Sequence, residues 1–230
     1  MKLFFGEILP TVKIDEDEQQ HIVKVLRMRA NEEITLTDGK GNAATGNLIF
    51  EGKKITLGVT ELLKAIPPFT PRLHIAIAPT KNMDRTEFFV EKATELGVSE
   101  ITFLLTEKSE RRNLNFERIQ KQAVAASKQS LRFHFPQIND LVKLPNFIKT
   151  INPANTFIAH CEEAFDRVNL KEIPLSENTT FLIGPEGDFS LNEIKMLAEA
   201  GVHAVSLGSQ RLRTETAGIF IAAWNYGKMI

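Results

Sequence analysis

Two glycine-bearing segments near the C-terminus carry the residues best suited to chemistry. Phe181–Ser190 reads Phe-Leu-Ile-Gly-Pro-Glu-Gly-Asp-Phe-Ser, and Leu207–Ala217 reads Leu-Gly-Ser-Gln-Arg-Leu-Arg-Thr-Glu-Thr-Ala. Each is an apolar run that enters a glycine-containing turn and then a helical pattern. Open α/β sheets bind ligands outside the carboxyl ends of their strands. We therefore expect the two segments to lie side by side and to form one small-molecule pocket.

The side chains of these segments allow two interpretations. Glycine lets a backbone approach a ligand closely, and Pro185 stiffens the first turn. Arg211, Arg213 and Glu215 lie at the start of a predicted helix. Taken alone, Gly184–Gly187 is equally a plain tight turn, Glu215 a first-turn acid that complements the helix dipole, and the arginines solvated charges. The pairing of the two segments is what indicates an enzyme.

Other chemistries are weakly supported. Gly39–Ala44 superficially matches a dinucleotide-binding fingerprint, but strand-like residues follow it, so a hairpin turn is favoured. The five histidines lack metal-ligand spacing, and no metal site is expected. Cys161 is a candidate nucleophile, although an inert, partly buried thiol is the favoured interpretation.

Composition limits the class of protein. Over 230 residues, 43% hydrophobic and 25% charged residues are typical of a globular protein with a sizeable core. The sequence has no apolar run long enough to span a membrane, and its N-terminus turns polar too soon for a signal peptide. A single cysteine fits a reducing cytosol, so a cytoplasmic protein is expected. The net charge of −1 means that nucleic-acid binding requires a local basic patch.

The chain is predicted to divide near residue 70, at the proline-rich linker Pro67–Pro71. Residues 1–70 are expected to form a small barrel-like β domain. One helix interrupts it, with Asp15 and Glu18 at capping-box spacing and an apolar stripe at Ile22, Val25, Leu26 and Met28. The predicted strands are Leu3–Ile8, Glu33–Thr37, Ala44–Phe50 and Lys54–Leu62.

Residues 71–230 alternate between strands and helices, which predicts a parallel sheet covered by helices. The predicted strands are Leu73–Pro79, Glu100–Thr106, Asn155–Cys161, Thr179–Gly184 and Ala204–Leu207. The predicted helices are Asp84–Gly97, Asn115–Ser130, Ser190–Ala200 and Thr214–Tyr226. Capping-box spacing is present at Asp84 with Glu87 and at Ser190 with Glu193. Ala217–Trp224 is apolar almost all round, as expected of a doubly buried helix.

The two glycine segments closely resemble the last two motifs of the RsmE family of SPOUT methyltransferases, which methylate N3 of a uridine in small-subunit ribosomal RNA. Three further blocks, His21–Arg27, Lys92–Val98 and Ala126–Arg132, are similar to family motifs and occur in family order. In one departure, Asp188 stands where the family usually has a second glycine. Aspartate tolerates a positive φ better than most residues.

The resemblance implies an α/β fold with two domains. Residues 71–230 would form a SPOUT-type, trefoil-knotted parallel sheet, and residues 1–70 a PUA-like β-barrel that positions RNA. It also implies S-adenosyl-L-methionine as the cofactor and a homodimer whose interface includes the C-terminal helix. The implied cofactor-binding residues are Ile183, Gly184, Pro185, Gly187, Leu207, Gly208, Ser209, Leu212 and Arg213.

The same resemblance implies roles in methyl transfer to 16S ribosomal RNA in the small subunit. Arg213 is the candidate for stabilising charge on the uracil carbonyls, and Glu215 or Glu186 for accepting the N3 proton. Because N3 lies on the Watson–Crick edge, the uridine must be unpaired or flipped out. The candidate RNA-binding residues are Lys24, Arg27, Arg29, Lys108, Arg111, Arg112, Lys128 and Arg132.

Two other functions stay open from the residues alone. One is a SPOUT enzyme that acts on another RNA, such as transfer RNA, or on another atom. The other is a non-catalytic RNA-binding or ribosome-assembly factor, against which Gly184, Gly187, Gly208 and Arg213 argue. Only the resemblance over the whole chain favours the uridine-N3 enzyme over the first alternative.

Overall fold

The computed structural model describes residues 1–52, 54–174 and 176–228. The chain divides into two compact units. The first unit comprises Met1–Pro68 with Val124–Phe135, and the second comprises Phe69–Ala123 with Pro136–Ile230. The boundary expected near residue 70 is linear, whereas the first unit also takes in the later segment Val124–Phe135.

The first unit is built on a five-stranded sheet, in the order β2-β1-β3-β4-β5. Strands β1 and β3 are parallel, and the other neighbouring pairs are antiparallel. Gln19 links the two edge strands, because its Nε2 donates to the Ile14 carbonyl at 3.0 Å and its Oε1 accepts from the Ile55 N–H at 3.2 Å. The predicted barrel-like sheet is therefore confirmed. Its elements are β1 (Leu3–Glu7), β2 (Lys13–Ile14), α1 (Glu16–Gln20), β3 (Glu33–Thr37), β4 (Ala43–Glu51) and β5 (Lys54–Leu63).

Two local predictions in this unit are resolved by the structure. Gly39–Ala44 joins the antiparallel strands β3 and β4, so the hairpin interpretation is confirmed. The capping box at the start of α1 is wrong: Asp15 accepts from the Asp17 N–H at 2.9 Å, and Glu18 pairs instead with Lys128.

The apolar stripe predicted after α1 is only half correct. The chain continues as a π-helical turn over His21–Val25, which changes the helical period. Ile22 and Met28 are buried, but Val25 is 64% exposed and Leu26 is 44% exposed.

The second unit contains a seven-stranded sheet, in the order β10-β12-β9-β11-β6-β7-β8. Every neighbouring pair is parallel, which confirms the predicted sheet. The polar strand β8 and the two-residue strand β10 lie at the sheet edges and were not predicted. The elements are β6 (Arg72–Ile77), α2 (Met83–Glu95), β7 (Glu100–Leu105), α3 (Phe116–Gln129), β8 (Gln137–Lys143), α4 (Leu144–Phe147), β9 (Thr156–Ala159), β10 (Val168–Asn169), β11 (Asn178–Ile183), α5 (Leu191–Glu199), β12 (His203–Ser206) and α6 (Thr214–Tyr226).

Both faces of this sheet are buried. Ile75 and Ile77 of β6 pack into one hydrophobic cluster, which includes residues of α2, α3 and α6, whereas Ala76 packs into a second cluster with residues of α4 and α5. Strand β11 alternates in the same way, because successive side chains of a strand point to opposite faces. For this reason, the sequences of the central parallel strands are nearly continuous apolar runs.

The helix ends of the second unit test the capping predictions. The capping box of Ser190 and Glu193 at α5 is present, as predicted. The predicted start of α2 at Asp84 is wrong, because Asn82 is the N-cap and accepts from the Asp84 N–H at 3.0 Å. Within the predicted doubly buried segment Ala217–Trp224, Phe220 is 44% exposed, so packing within one chain does not account for the apolar face, and its burial in a homodimer stays a prediction.

Candidate cofactor pocket and active site

A cavity of about 290 Å³ opens at the carboxyl ends of three neighbouring strands, β11, β9 and β12. The two glycine segments both line it, but they are not side by side, because β9 lies between their strands. One side of the cavity, called the wall after β9, is formed by Ala159–Cys161 and Arg167. Its contribution to the cavity was not predicted from the sequence. The lining residues are Ala159–Cys161, Arg167, Ile183–Glu186, Asp188, Val205–Gly208, Gln210–Thr214 and Ala217.

The loop after β11 is tightly folded around Gly184. A Cβ atom on Gly184 would lie 3.0 Å from the Phe189 nitrogen, so a side chain there would push the loop open. The Asp188 N–H donates to the Pro185 carbonyl at 2.9 Å and closes the turn. The Thr214 hydroxyl donates to the Gly184 carbonyl at 3.1 Å and joins this loop to the start of α6. Gly184 and Pro185 thus form a part of the cavity lining that is held in place by hydrogen bonds.

Asp188 occupies the left-handed region, with φ of 61°, which aspartate tolerates better than most residues. Its Oδ2 accepts from the Cys161 N–H at 2.8 Å, and its Oδ1 accepts from its own neighbour, the Phe189 N–H, at 2.7 Å. The carboxylate therefore connects the loop after β11 to the end of β9.

The loop after β12 depends on Gly208, whose φ is 129°. That conformation is essentially restricted to glycine. A Cβ on Gly208 would meet nothing within 4 Å, so the space beside this backbone is open. Leu207 and Leu212 line the cavity, whereas Ser209 and Gly187, both predicted cofactor-binding residues, are not among its lining residues.

The wall after β9 contains a buried imidazole. His160 is 5% exposed, and its Nδ1 accepts from the Glu162 N–H at 3.2 Å. Burial lowers the pKa of His160, and Arg167 acts in the same direction, whereas Asp188 and Glu162 oppose the shift. The ring is thus neutral at neutral pH, with its proton on Nε2. No hydrogen-bond acceptor for Nε2 is found among the described residues.

Cys161 and Arg167 complete this wall. Cys161 is exposed, so the prediction of a partly buried thiol is wrong. The Arg167 Nη1 donates to the His160 carbonyl at 2.9 Å, which places a cation beside the end of β9. In the sequence, Thr156–Cys161 is an apolar run that ends in the polar pair His160 and Cys161. This pattern is the signal from which the wall after β9 was predictable.

The candidate catalytic residues separate into two groups. Arg213 is exposed, forms the N-cap of α6 and lines the cavity. Glu186 also lines the cavity, and its Oε1 accepts from the Lys81 N–H at 3.0 Å. Glu215 is 7% exposed and does not line the cavity; its Oε1 lies 3.8 Å from the Arg85 Nε. The structure therefore brings Arg213 and Glu186 to the pocket and leaves Glu215 outside it.

The predicted RNA-binding residues also differ in their surroundings. Lys24, Arg27, Arg29 and Arg112 are exposed. Lys108 and Arg111 donate to backbone carbonyls of neighbouring loops. Lys128 pairs with Glu18. Arg132 is 4% exposed, and burial lowers its pKa to about 10, so its guanidinium is not presented at the surface of this chain.

The pocket fits a molecule with an apolar body and a polar end. Ile183, Val205, Leu207, Leu212 and Ala217 provide an apolar lining, and Gln210, Arg211 and Arg213 add polar side chains. A mostly apolar cleft with few polar groups is typical of cofactor sites. S-adenosyl-L-methionine, with its adenine ring and amino-acid end, matches this lining.

Across residues 1–52, 54–174 and 176–228, no three or more His, Cys, Asp or Glu side chains are grouped so as to hold a metal ion. In the same part of the chain, every helix is too short or too polar to cross a membrane.

The parallel sheet with its three-loop pocket and the separate barrel-like sheet define a SPOUT-type methyltransferase with a PUA-like domain. A family model described as an RNA methyltransferase domain matches residues 68–225, and one described as an RNA methyltransferase PUA domain matches residues 14–59. The chain belongs to the RNA methyltransferase family and, within it, to the group named ribosomal RNA small subunit methyltransferase E.

Three relatives illustrate the similarity. The ribosomal RNA small subunit methyltransferase E of Rickettsia conorii is 30% identical, over 90% of this chain and 86% of the relative. The Neisseria gonorrhoeae protein of the same name, solved bound to S-adenosyl methionine, is 28% identical with a TM-score of 0.84, over 97% of this chain and 96% of that chain. A probable rRNA-methyltransferase from Porphyromonas gingivalis is 36% identical with a TM-score of 0.90, over 100% of this chain and 98% of that chain.

Proposed function

We propose that this protein transfers the methyl group of S-adenosyl-L-methionine to N3 of a uridine in 16S ribosomal RNA of the small ribosomal subunit. The observation that carries the proposal is the three-walled pocket at the ends of β9, β11 and β12, in a chain similar to a relative solved with this cofactor. A ribosomal substrate places the reaction in the cytoplasm.

The cofactor is held by the two glycine loops together with the wall after β9. Backbone groups of Ile183–Pro185 and of Leu207 and Gly208 would hold it, and Leu212 would pack against its apolar part. Gly187 and Ser209 act through the shape of their loops, because they do not line the cavity.

The residues of this chain then position the uridine and move its proton. When bound, S-adenosyl-L-methionine supplies an activated methyl group on a sulfonium. Arg213 donates to the uracil carbonyl oxygens and stabilises the negative charge that develops when N3 loses its proton. Glu186 accepts that proton, directly or through water. Glu215 is not used for this step, since its carboxylate lies away from the pocket, near Arg85.

RNA is recognised by local basic sites rather than by the net charge of −1. Lys24, Arg27 and Arg29 of the PUA-like unit and Arg112 of the catalytic unit are exposed and suit phosphate contacts. Scattered cations bind best to a preformed RNA surface, so the assembled subunit is the preferred substrate.

Two properties of the catalytic unit complete the proposal. The loops around β9, β11 and β12 form the trefoil knot implied by the family. The exposed stripe of α6, which contains Phe220, Ala223 and Tyr226, forms part of a homodimer interface. Residues spaced by three or four positions lie on one helix face, and an exposed apolar stripe is typical of an interface.

The cofactor site is tested by Gly208→Val, with Gly52→Val as the matched control. Both glycines have a positive φ and open space beside them, with φ of 129° and 65° respectively, so both variants carry backbone strain. Only Gly208 lines the pocket. Calorimetric titration should show loss of S-adenosyl-L-methionine binding in Gly208→Val and normal binding in Gly52→Val. Equal affinities in the two variants would contradict the proposed site.

A further inference from the structure

Lys108 projects from a turn whose backbone is fixed. The Thr106 N–H donates to the Ser109 Oγ at 3.0 Å, and the Ser109 N–H donates back to the Thr106 carbonyl at 3.2 Å. Both residues are 4% exposed. The base of the lysine side chain is therefore held in place by the turn.

The ammonium of Lys108 is directed at the loop after β11. Its Nζ donates to the Gly187 carbonyl at 2.9 Å and to the Phe189 carbonyl at 3.0 Å. Its stem packs against Gly187, because a Cβ on that glycine would lie 3.4 Å from the Lys108 Cδ. Two of the three ammonium protons are thus committed to the loop that carries Gly184, Pro185 and Glu186.

A second link strengthens the same connection. The Glu107 N–H donates to the Glu193 Oε1 at 2.8 Å, and the Glu193 Oε2 accepts from the Ser190 N–H at 2.8 Å. The turn after β7 is therefore joined to both ends of the segment Gly187–Ser190. Charge-assisted hydrogen bonds of this kind are stronger than neutral ones.

We propose that Lys108 is a positioning residue that braces the cofactor loop, rather than a phosphate contact; this rests on the function proposed above. Arg112 lies on the same connection but is exposed and makes no side-chain hydrogen bond within the described residues that would commit its charge. The two cations therefore provide a matched pair with opposite expected effects.

The first test needs no cofactor. In the cofactor-free protein, Lys108→Met should raise amide hydrogen exchange at Gly187, Asp188 and Phe189 by about tenfold, the effect of losing roughly one charged hydrogen bond. Arg112→Gln should leave that exchange unchanged. A general loss of folding would accelerate exchange throughout the sheet. Unchanged exchange in Lys108→Met would overturn the proposal.

The second test distinguishes an effect on cofactor binding from an effect on RNA binding. Lys108→Met should weaken S-adenosyl-L-methionine binding about tenfold and leave the salt dependence of RNA binding unchanged. Arg112→Gln should leave cofactor binding unchanged. It should lower the slope of RNA affinity against salt concentration, on logarithmic scales, by about one. The reverse pattern would assign Lys108 to RNA and overturn the proposal. If Lys108→Met shows the exchange effect but the wild-type protein binds no cofactor, the positioning role of Lys108 stands and the proposed function fails.

Discussion

Asp188 has two roles in the pocket, one through its backbone and one through its carboxylate. Its backbone adopts a φ of 61°, which closes the turn after Pro185. Its carboxylate accepts from the Cys161 N–H at 2.8 Å, which ties together the loops after β11 and β9. A glycine supplies only the first. The carboxylate of Asp188 therefore adds a connection across the pocket that a glycine at this position would lack.

Replacing Asp188 by glycine should expose the value of this connection. Asp188→Gly keeps the permitted φ but removes the acceptor, so S-adenosyl-L-methionine binding should weaken about tenfold, the effect of one charge-assisted hydrogen bond. Asp188→Asn retains an oxygen acceptor and should stay closer to wild type. Titration calorimetry on both variants measures the difference. Wild-type affinity in Asp188→Gly would show that the connection contributes nothing.

The buried His160 predicts a pH dependence of stability. Its pKa is lowered by burial from the ordinary value of 6.5, so the unfolded chain binds more protons than the folded one as the solution is acidified. The stabilising contribution is present above that ordinary value and is lost as the pH falls below it.

This dependence is measurable by denaturant unfolding at about pH 7.5 and about pH 5.5. The free energy of unfolding should fall less between these two conditions in His160→Gln than in the wild-type protein. His74, whose pKa burial also lowers, should account for part of the remaining loss. Identical losses in His160→Gln and wild type would refute the contribution of His160.

At the residue scale, the sequence predicted part of the site and no more. Gly184 and Gly208 were identifiable because each follows an apolar run, and both line the pocket. The sequence did not predict that Glu215 lies outside the pocket or that Lys108 donates hydrogen bonds to the loop after β11. Both depend on which side chains tertiary packing brings together, and a local pattern of charges does not contain that information.

At the scale of elements, the strand–helix alternation was predicted well because it depends on local periodicity. The position of β9 between β11 and β12 was not, since strand order is set by the connections among the strands. The edge strand β8 was missed because its sequence, Gln-Ile-Asn-Asp-Leu-Val-Lys, lacks the apolar run of a central strand. The start of α2 was misplaced because Asn82 and Asp84 are both good capping residues.

The exposed stripe of α6 leads to a prediction about assembly. Phe220→Glu places a charge in the proposed dimer interface and should convert the dimer to a monomer, because an unpaired buried charge costs more than the apolar contact it replaces. Light scattering after size-exclusion chromatography measures the mass. Val59→Glu, at a 44% exposed position of β5 in the first unit, is the control and should remain dimeric. A dimeric Phe220→Glu would place the interface elsewhere.

At the scale of the whole molecule, the amino-acid composition indicated little about function, whereas the order of the motifs along the chain indicated the family. A net charge of −1 does not indicate an RNA-binding protein. Five blocks in family order were enough to predict the family, which the matches over residues 14–59 and 68–225 confirm. The knot and the dimer have no local signature, because each depends on how distant segments or separate chains are arranged. They stay predictions.

The central claim is tested most directly by incubating the protein and labelled S-adenosyl-L-methionine with small ribosomal subunits that lack the modification, followed by nucleoside mass spectrometry. Labelled N3-methyluridine in 16S ribosomal RNA is the expected result. In Arg213→Ala, the label should fall by about two orders of magnitude or more while cofactor affinity is nearly unchanged, since the lost interaction forms only in the transition state. Cofactor binding without labelled N3-methyluridine in the wild-type reaction would contradict the account.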